Sequence, residues 1–256
     1  DENLFETNKS TMVGEYPYTR HSLNYYYNGQ IGDWNIDFNA DGMWNVKEES
    51  MHTKEITNTD TEMNVNTFNK NDGTLYAAKL IVSYPLWQGN LSFGNEYSHT
   101  NRTNIHINNE GILNNDDSRI KENSTSTFID YTHSFGNVDM QAGIRYENGR
   151  FNYYEQGKYV EEQSRTFNNV FPSLNINFPI GKTQVQLSYS SGITRPSYDM
   201  LRSNIYYSNK YTYQTGNPFL KPVINQNLAL SVSYKWINFN LTYNRTKNDI
   251  IQVCEP

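Results

Sequence analysis

The chain reads Asn227-Leu-Ala-Leu-Ser-Val-Ser-Tyr234 and, after a short turn, Asn238-Phe-Asn-Leu-Thr-Tyr-Asn244. Upstream, Thr183-Gln-Val-Gln-Leu-Ser-Tyr189 repeats the pattern. Large apolar residues alternate with small polar ones at a period of two, which predicts strands with one apolar and one polar face. The polar positions hold Gln, Ser, Asn and Thr rather than Lys and Glu, as in a water-filled barrel interior. The pattern therefore favours strands that cross a membrane.

Composition agrees with this interpretation. The 256 residues include 21 Tyr, 12 Phe and 4 Trp, yet the mean hydropathy is -0.80. A transmembrane β-barrel combines these properties because only every second strand residue faces lipid. A helical membrane span is excluded, since no run of about 18 apolar residues occurs. With 27 acidic against 21 basic residues the net charge is -6, which argues against a nucleic-acid partner.

Turn signals divide the chain into hairpins. They lie at Asn28–Asp33, Pro85–Asn90, Gly136–Asn137, Pro179–Lys182 and Lys235–Asn238, and an alternating segment flanks each of them on both sides. We therefore predict about ten strands, most of them near the roughly 9 to 11 residues that a tilted membrane strand needs. The predicted strands are 21–27, 34–46, 74–84, 91–100, 126–134, 138–147, 168–178, 183–193, 226–234 and 239–248.

Long hydrophilic connections separate the hairpins. They are predicted at 47–73, 101–125, 148–167 and 194–225. Alternation of very short and very long connections is typical of outer-membrane barrels, which have tight periplasmic turns and large extracellular loops. The predicted fold is an all-β, antiparallel, up-and-down transmembrane β-barrel in the bacterial outer membrane.

The fourth connection carries a distinctive motif. It contains Arg195-Pro196-Ser-Tyr198 and, further on, Gly216-Asn217-Pro218-Phe-Leu220-Lys221-Pro222. The three prolines fix φ and push the residues before them toward extended geometry, so the connection is stiffened where it leaves and re-enters the sheet. We interpret Arg195, Pro196, Tyr198, Gly216, Asn217, Pro218, Leu220, Lys221 and Pro222 as a structural motif that packs at the barrel rim.

The same motif resembles the barrel of TonB-dependent outer-membrane receptors, and more narrowly the outer-membrane β-barrel family common in Bacteroidetes. The resemblance implies a barrel of about 22 strands around a globular plug. Residues 1–256 are then expected to be an internal part of one barrel domain, with the signal peptide, the plug and the remaining strands outside them. It also implies uptake of a scarce nutrient, such as an iron-siderophore, cobalamin or a glycan, driven by TonB through the plug.

The partners expected from the resemblance are outer-membrane lipid, TonB, a small-molecule or glycan substrate and a surface lipoprotein. Tyrosines in the long connections are candidate ligand contacts, because their rings can stack on sugars or aromatic chelates. These candidates are Tyr153, Tyr154, Tyr159, Tyr206, Tyr207, Tyr211 and Tyr213.

Enzymatic chemistry is not predicted. The five histidines show no H-E-x-x-H or paired-cysteine spacing, and no Gly-rich phosphate loop or G-x-S-x-G motif occurs, so neither a catalytic residue, a metal nor a cofactor is expected. Two alternatives remain: a ten-stranded outer-membrane protease, which needs paired Asp and Asp/His residues at the rim, and a soluble secreted β-sandwich that binds carbohydrate, which needs apolar faces packed on each other.

Overall fold

The computed structural model describes residues 7–58 and 62–254, and almost all of its regular structure is strand. The strands are β1 Asn8–Glu15, β2 Tyr18–Ile31, β3 Trp34–Thr57, β4 Glu62–Leu86, β5 Gly89–Asn108, β6 Asp116–Phe135, β7 Val138–Glu155, β8 Lys158–Ile180, β9 Thr183–Thr194, β10 Ile205–Asn209, β11 Thr212–Thr215, β12 Val223–Tyr234 and β13 Ile237–Lys247, with one short helix, α1, at Tyr198–Leu201.

The main sheet is antiparallel, and each strand pairs with the next in the order β1, β3 to β9, β12, β13. β1 and β2 share the same edge of β3, because β1 pairs with Ser50–Thr57 and β2 with Trp34–Lys47. Between them lies Pro17, which has no N–H to donate. The sheet is therefore ten strands wide, which confirms the up-and-down, all-β prediction.

The two faces of the sheet differ as the alternation predicts. Leu230 pairs with Leu187 on one side and Leu241 on the other, and Val232 pairs with Val185 and Phe239. These rows form what we call the apolar face, where Leu241 is 58% exposed and Phe239 54% exposed. Within the described residues no second sheet covers this face, so the soluble β-sandwich alternative is not supported.

The strands meet in tight turns at one end of the sheet. Trp87 and Gln88 both have positive φ, 49° and 66°, as a two-residue type I′ hairpin turn requires. Gly32, Gly136 and Gly181 adopt positive φ in three of the other turns. All five predicted turns are confirmed, and this end carries Trp87 and Trp236, each at least 80% exposed.

The predicted loops 47–73, 101–125 and 148–167 are wrong over most of their length. β3 and β4 are 24 and 25 residues long and reach Thr57 and Glu62, and their ladder includes an ion pair of Lys54 with Glu62 at 2.8 Å. Residues 59–61 of the first predicted loop lie outside the described residues. The other two hairpins close at 109–115 and at 156–157. Beyond the membrane a sheet can be polar on both faces, so the alternation that marks a membrane strand is lost.

The fourth connection is confirmed as a long excursion, but it is folded rather than open. It contains α1 and the two-stranded sheet of β10 and β11, and β12 begins at Val223 instead of residue 226. Among the described residues α1 is the only helix, and with four residues it is too short to cross a membrane.

Candidate functional site

Residues 195–222, here named the crossing segment, lie on the polar face of the sheet, opposite the apolar face. From residue 195 onward the segment crosses the strands one after another. It contacts β7 and β6 through Arg195, β5 through Asp199 and Asn204, and β3 through Lys210. Ser10 of β1 donates to the Ser208 carbonyl at 3.5 Å. The segment therefore spans the polar face from β9 to the first strand.

A charged cluster holds the start of the crossing segment. The Arg195 guanidinium forms ion pairs with Glu122 of β6, at 2.6 Å from Nε, and with Glu147 of β7. Its Nη2 also donates to Ser124 Oγ at 3.0 Å. Arg145 extends the cluster, because its guanidinium lies 3.3 Å from both Glu147 and Glu96. Three carboxylates and two guanidinium groups thus alternate across the sheet and the segment.

Tyr198 continues this network into α1. Its hydroxyl donates to Glu122 Oε2 at 3.1 Å, and the Arg102 guanidinium lies 5.1 Å from its ring centroid. Arg102 also lies 3.8 Å from the Asp199 carboxylate. Burial, followed by the charge of Glu122, raises the pKa of Tyr198 to about 12. The phenol therefore stays protonated at neutral pH and remains a hydrogen-bond donor.

Beside the charged cluster, toward the end of the sheet opposite the tight turns, the segment closes a small hydrophobic core. Leu201 of α1 is 3% exposed and packs with Ile120, Phe151 and Tyr153, and Leu220 packs against the same group. Tyr153 is fully buried, and its hydroxyl lies 3.3 Å from Ser203 Oγ. Since this core exists only where the segment meets the sheet, it fixes α1 in place.

The far half of the segment has its own contacts. Tyr207 packs against Val65 of β4 and Leu113, and its pKa is raised by burial and by the nearby Glu55 carboxylate. Glu55 of β3 is 1% exposed and accepts hydrogen bonds from the Lys210 backbone N–H at 3.3 Å and from Asn8 Nδ2 at 3.0 Å. A buried carboxylate thus anchors the turn between β10 and β11.

The return path uses the second half of the motif. Gly216 lies against the backbone of α1, and a Cβ there would sit 2.6 Å from the carbonyl oxygens of Met200 and Arg202. Asn217 N–H donates to the Met200 carbonyl at 2.6 Å, and the buried Pro218 accepts from Arg165 of β8 at 2.9 Å. The motif therefore locks the outgoing and returning arms together.

The candidate tyrosines fall into two groups. Tyr153 and Tyr207 are buried beneath the crossing segment, whereas Tyr159, Tyr211 and Tyr213 are more than half exposed. Tyr154 and Tyr159 contact each other edge to face across the β7–β8 turn, with ring centroids 5.6 Å apart. Tyr206 lies in β10, with its hydroxyl 3.9 Å from Met12 Sδ. Their role in ligand binding remains a prediction.

Sequence reasoning missed four groups on the polar face: the buried Glu55, His106 and Glu147, and the half-buried Glu122. His106 is 1% exposed, its Nδ1 lies 2.6 Å from Asn69 Oδ1, and burial lowers its pKa. All four lie at inward-facing strand positions, and strand parity was the one signal that could have identified them. In the described parts of the chain no group of three or more His, Cys, Asp and Glu residues is arranged to hold a metal ion.

Comparison with known proteins agrees with this geometry. Residues 30–255 match the model of the outer membrane protein beta-barrel family. No curated protein sequence shows significant similarity to the chain.

Three solved structures share the fold. The ferric yersiniabactin uptake receptor FyuA from Yersinia pestis has a TM-score of 0.54 at 14% identity, with 90% of this chain and 36% of the receptor covered. The copper transporter OprC has a TM-score of 0.60 at 12% identity, with 92% of this chain and 39% of the transporter covered. The ferric citrate transporter FecA has a TM-score of 0.56 at 11% identity, with 98% of this chain and 45% of the transporter covered.

The chain thus spans less than half the length of these three proteins. Because the identities with the three structures are low, their similarity to this chain concerns the fold alone. The family model, by contrast, matches most of the chain. The apolar face, the tight turns at one end and the polar face agree with a barrel wall. The chain belongs to the outer membrane protein beta-barrel family and resides in the bacterial outer membrane.

Proposed function

We propose that the chain is the barrel portion of a TonB-dependent outer-membrane receptor that takes up a scarce nutrient. The observation that carries the proposal is the crossing segment, which spans the polar face and is anchored there by Arg195 and Leu201. In a barrel wall the polar face lines the interior. A segment fixed there narrows the path of a solute and presents side chains to it, as a receptor requires.

The wall belongs, in this proposal, to a barrel of about 22 strands with a plug inside. The ten-strand-wide sheet leaves β13 and the β1/β2 edge without a further partner among the described residues, and an open edge is not stable in lipid. Residues 1–256 are then part of one barrel domain, and TonB acts on a plug encoded elsewhere in the protein. An origin in Bacteroidetes belongs to the same proposal.

The proposed substrate is an iron-siderophore, cobalamin or a glycan, and the proposed role is non-enzymatic. Fold neighbours described as a ferric yersiniabactin uptake receptor and a ferric citrate transporter support the iron-chelate option. Tyr211 and Tyr213 are the best-placed contacts, because they are 62% and 65% exposed at the turn of the crossing segment. A surface lipoprotein is a further proposed partner.

Deletion of the encoding gene tests the proposal. The mutant and the parent strain would be grown with one nutrient limiting at a time: iron chelates, cobalamin, copper or defined glycans. We expect slower growth on one of these only, restored by the intact gene and not by a Tyr211→Ala/Tyr213→Ala variant of equal outer-membrane abundance. Normal growth on every nutrient would contradict the proposed transport role.

A further inference from the structure

A phenylalanine lies on the polar face of the sheet, where the alternation predicts a polar residue. Phe128 of β6 pairs with Gly94 on one side and with Arg145 on the other. Arg145 points inward, because its guanidinium lies 3.3 Å from Glu147, the partner of Arg195. Cross-strand partners share a face, so Phe128 points inward as well. The inner face therefore carries an aromatic ring beside the charged cluster, on the side nearer the tight turns.

Gly94 makes room for this ring. A Cβ at Gly94 would overlap the ring of Phe128, so the ring lies across β5. The crossing segment contacts β5 at Arg102 and Asn104, farther from the tight turns. The nearer of these lies eight residues from Gly94, or about 26 Å along the strand. The half-buried ring of Phe128 thus borders the barrel interior.

Polar side chains of the neighbouring strands adjoin the ring. Lys79 of β4 extends toward it, with Nζ 5.7 Å from the ring centroid. Lys79 pairs with Glu96 on β5 and with Asn39 on β3, so all three side chains point inward. Asp41, two residues after Asn39, accepts a hydrogen bond from the Asn39 amide at 2.8 Å. We call Phe128, Lys79, Glu96, Asn39 and Asp41 the inner-wall patch.

The inner-wall patch and its surroundings carry more negative than positive charge. The Glu96 carboxylate is paired with Arg145 at 3.3 Å. Asp37 lies beside the patch on β3, and its parity is that of Asn39 and Asp41. In the described parts of the chain neither Asp37, Asp41 nor Lys79 forms an ion pair. Two carboxylates therefore stand against one ammonium group, which disfavours a phosphate or a negatively charged iron chelate.

We propose that the inner-wall patch binds a sugar ring of a neutral glycan. The apolar face of a sugar ring can stack on Phe128. Sugar hydroxyls both donate and accept hydrogen bonds, so they match the Lys79 ammonium, the Asn39 amide and the Asp41 carboxylate at once. The inference rests on the proposed function, and among the substrate classes named there it selects the glycan.

The test uses the native protein purified in a detergent without a sugar headgroup. Neutral trisaccharides of glucose, galactose, mannose or xylose are titrated one at a time, and binding is recorded by calorimetry. Phe128→Ala is compared with Phe93→Ala, which removes the same ring from the outward side of β5, where Phe93 is 52% exposed. We expect the trisaccharide that binds the wild type to bind roughly three- to tenfold more weakly to the first variant and equally to the second. Phe128→Tyr should retain binding.

A second pair of variants keeps the test decisive if Phe128→Ala fails to fold. Lys79→Ala should also weaken binding several-fold, whereas Lys182→Ala, in an exposed turn, should not. The proposal would be overturned if no neutral trisaccharide binds the wild type, or if each variant and its control bind equally. Tighter binding of inorganic phosphate or ferric citrate than of every trisaccharide, lost in Lys79→Ala, would likewise overturn the neutral-glycan assignment.

Failure of this inference can be distinguished from failure of the transport role. A deletion mutant that grows slowly only on an iron chelate or cobalamin, together with no trisaccharide binding, would support transport and overturn the glycan site. Trisaccharide binding that depends on Phe128, together with normal growth of the mutant on every nutrient, would support the site and contradict the transport role.

Discussion

Arg195 and Glu147 lie 48 residues apart in the chain and form an ion pair in which the glutamate side chain is only 5% exposed. Glu147 is an inward-facing residue of β7, and Arg195 is the first residue of the crossing segment. A carboxylate that is buried away from water is strongly destabilising unless an opposite charge lies beside it. The pair therefore ties the start of the segment to the wall, and its loss should release that end.

Arg195→Gln should destabilise the packed crossing segment by on the order of 3 kcal/mol, because it leaves Glu147 buried without its main cation. Hydrogen exchange of residues 195–222 measures the change. Arg245→Gln, an exposed outward position on β13, is the control and should have little effect. Adding Glu147→Gln to Arg195→Gln should recover part of the loss, and a double variant worse than the single one would contradict the pairing.

Leu201→Ala should destabilise the same segment by about 2–5 kcal/mol, since it opens a cavity between α1 and the sheet. Met200→Ala, at the neighbouring position that is 47% exposed, should cost much less. Limited proteolysis within the crossing segment reports both changes. Equal rates of proteolytic cleavage in the two variants would show that Leu201 does not anchor α1.

Gly216→Ala tests the contact between the two arms of the segment. The added Cβ would sit 2.6 Å from two backbone oxygens, so the arms must separate. Gly192→Ala is the matched control, because a Cβ at Gly192 meets no atom within 4 Å. We expect faster hydrogen exchange at Asn217 only in the first variant, and unchanged exchange there would refute the close approach.

His106 should make the packing of the segment sensitive to pH. Burial lowers its pKa, and the facing groups are Asn69, the Asp116 carboxylate and Arg202. Because the packed form binds the proton more weakly than an exposed imidazole does, the opened form takes it up first as the pH falls below about 6.5. Above that pH His106 does not change the stability of the packed segment, and below it the packed segment loses stability.

Hydrogen exchange around Tyr207, measured between pH 7.5 and 5, tests this behaviour. Opening should increase toward low pH in the wild type, and His106→Gln should flatten the dependence. His52→Gln, on an exposed outward position of β3, should leave it unchanged. An identical pH profile in all three proteins would exclude His106 as the cause.

The membrane-crossing parts of the fold could be predicted from the sequence because lipid on one side and water on the other impose a strict alternation. Val185, Leu230 and Phe239 show this signal clearly. In the structure each of them pairs with apolar residues on the neighbouring strands. Above the membrane both faces can be polar, so the sequence pattern predicts a loop at Lys54 and Glu62, although these two side chains form an ion pair across the β3–β4 ladder.

The site was only partly predictable. The sequence predicts a structural role for the motif around Arg195 and Gly216, because proline and glycine restrict the backbone locally, and this role stays a prediction. Its partners Glu122 and Glu147 were not found, since they lie far away in sequence and are specified by strand register. The sequence pattern predicts a loop at Tyr153, whereas this residue occupies an inward position of β7 and packs against Leu201.

The crossing segment lies on the polar, inward face of the wall, and a disulfide scan in intact bacteria can check this placement. Asn104 and Asn204 are 3.5 Å apart through their side-chain amides, whereas the adjacent Thr103 faces the opposite side of β5. With the single native cysteine replaced by Cys254→Ser, we predict rapid cross-linking of Asn104→Cys/Asn204→Cys and none of Thr103→Cys/Asn204→Cys. Equal cross-linking of the two pairs, or failure of the first, would show that the crossing segment does not lie on the inward face.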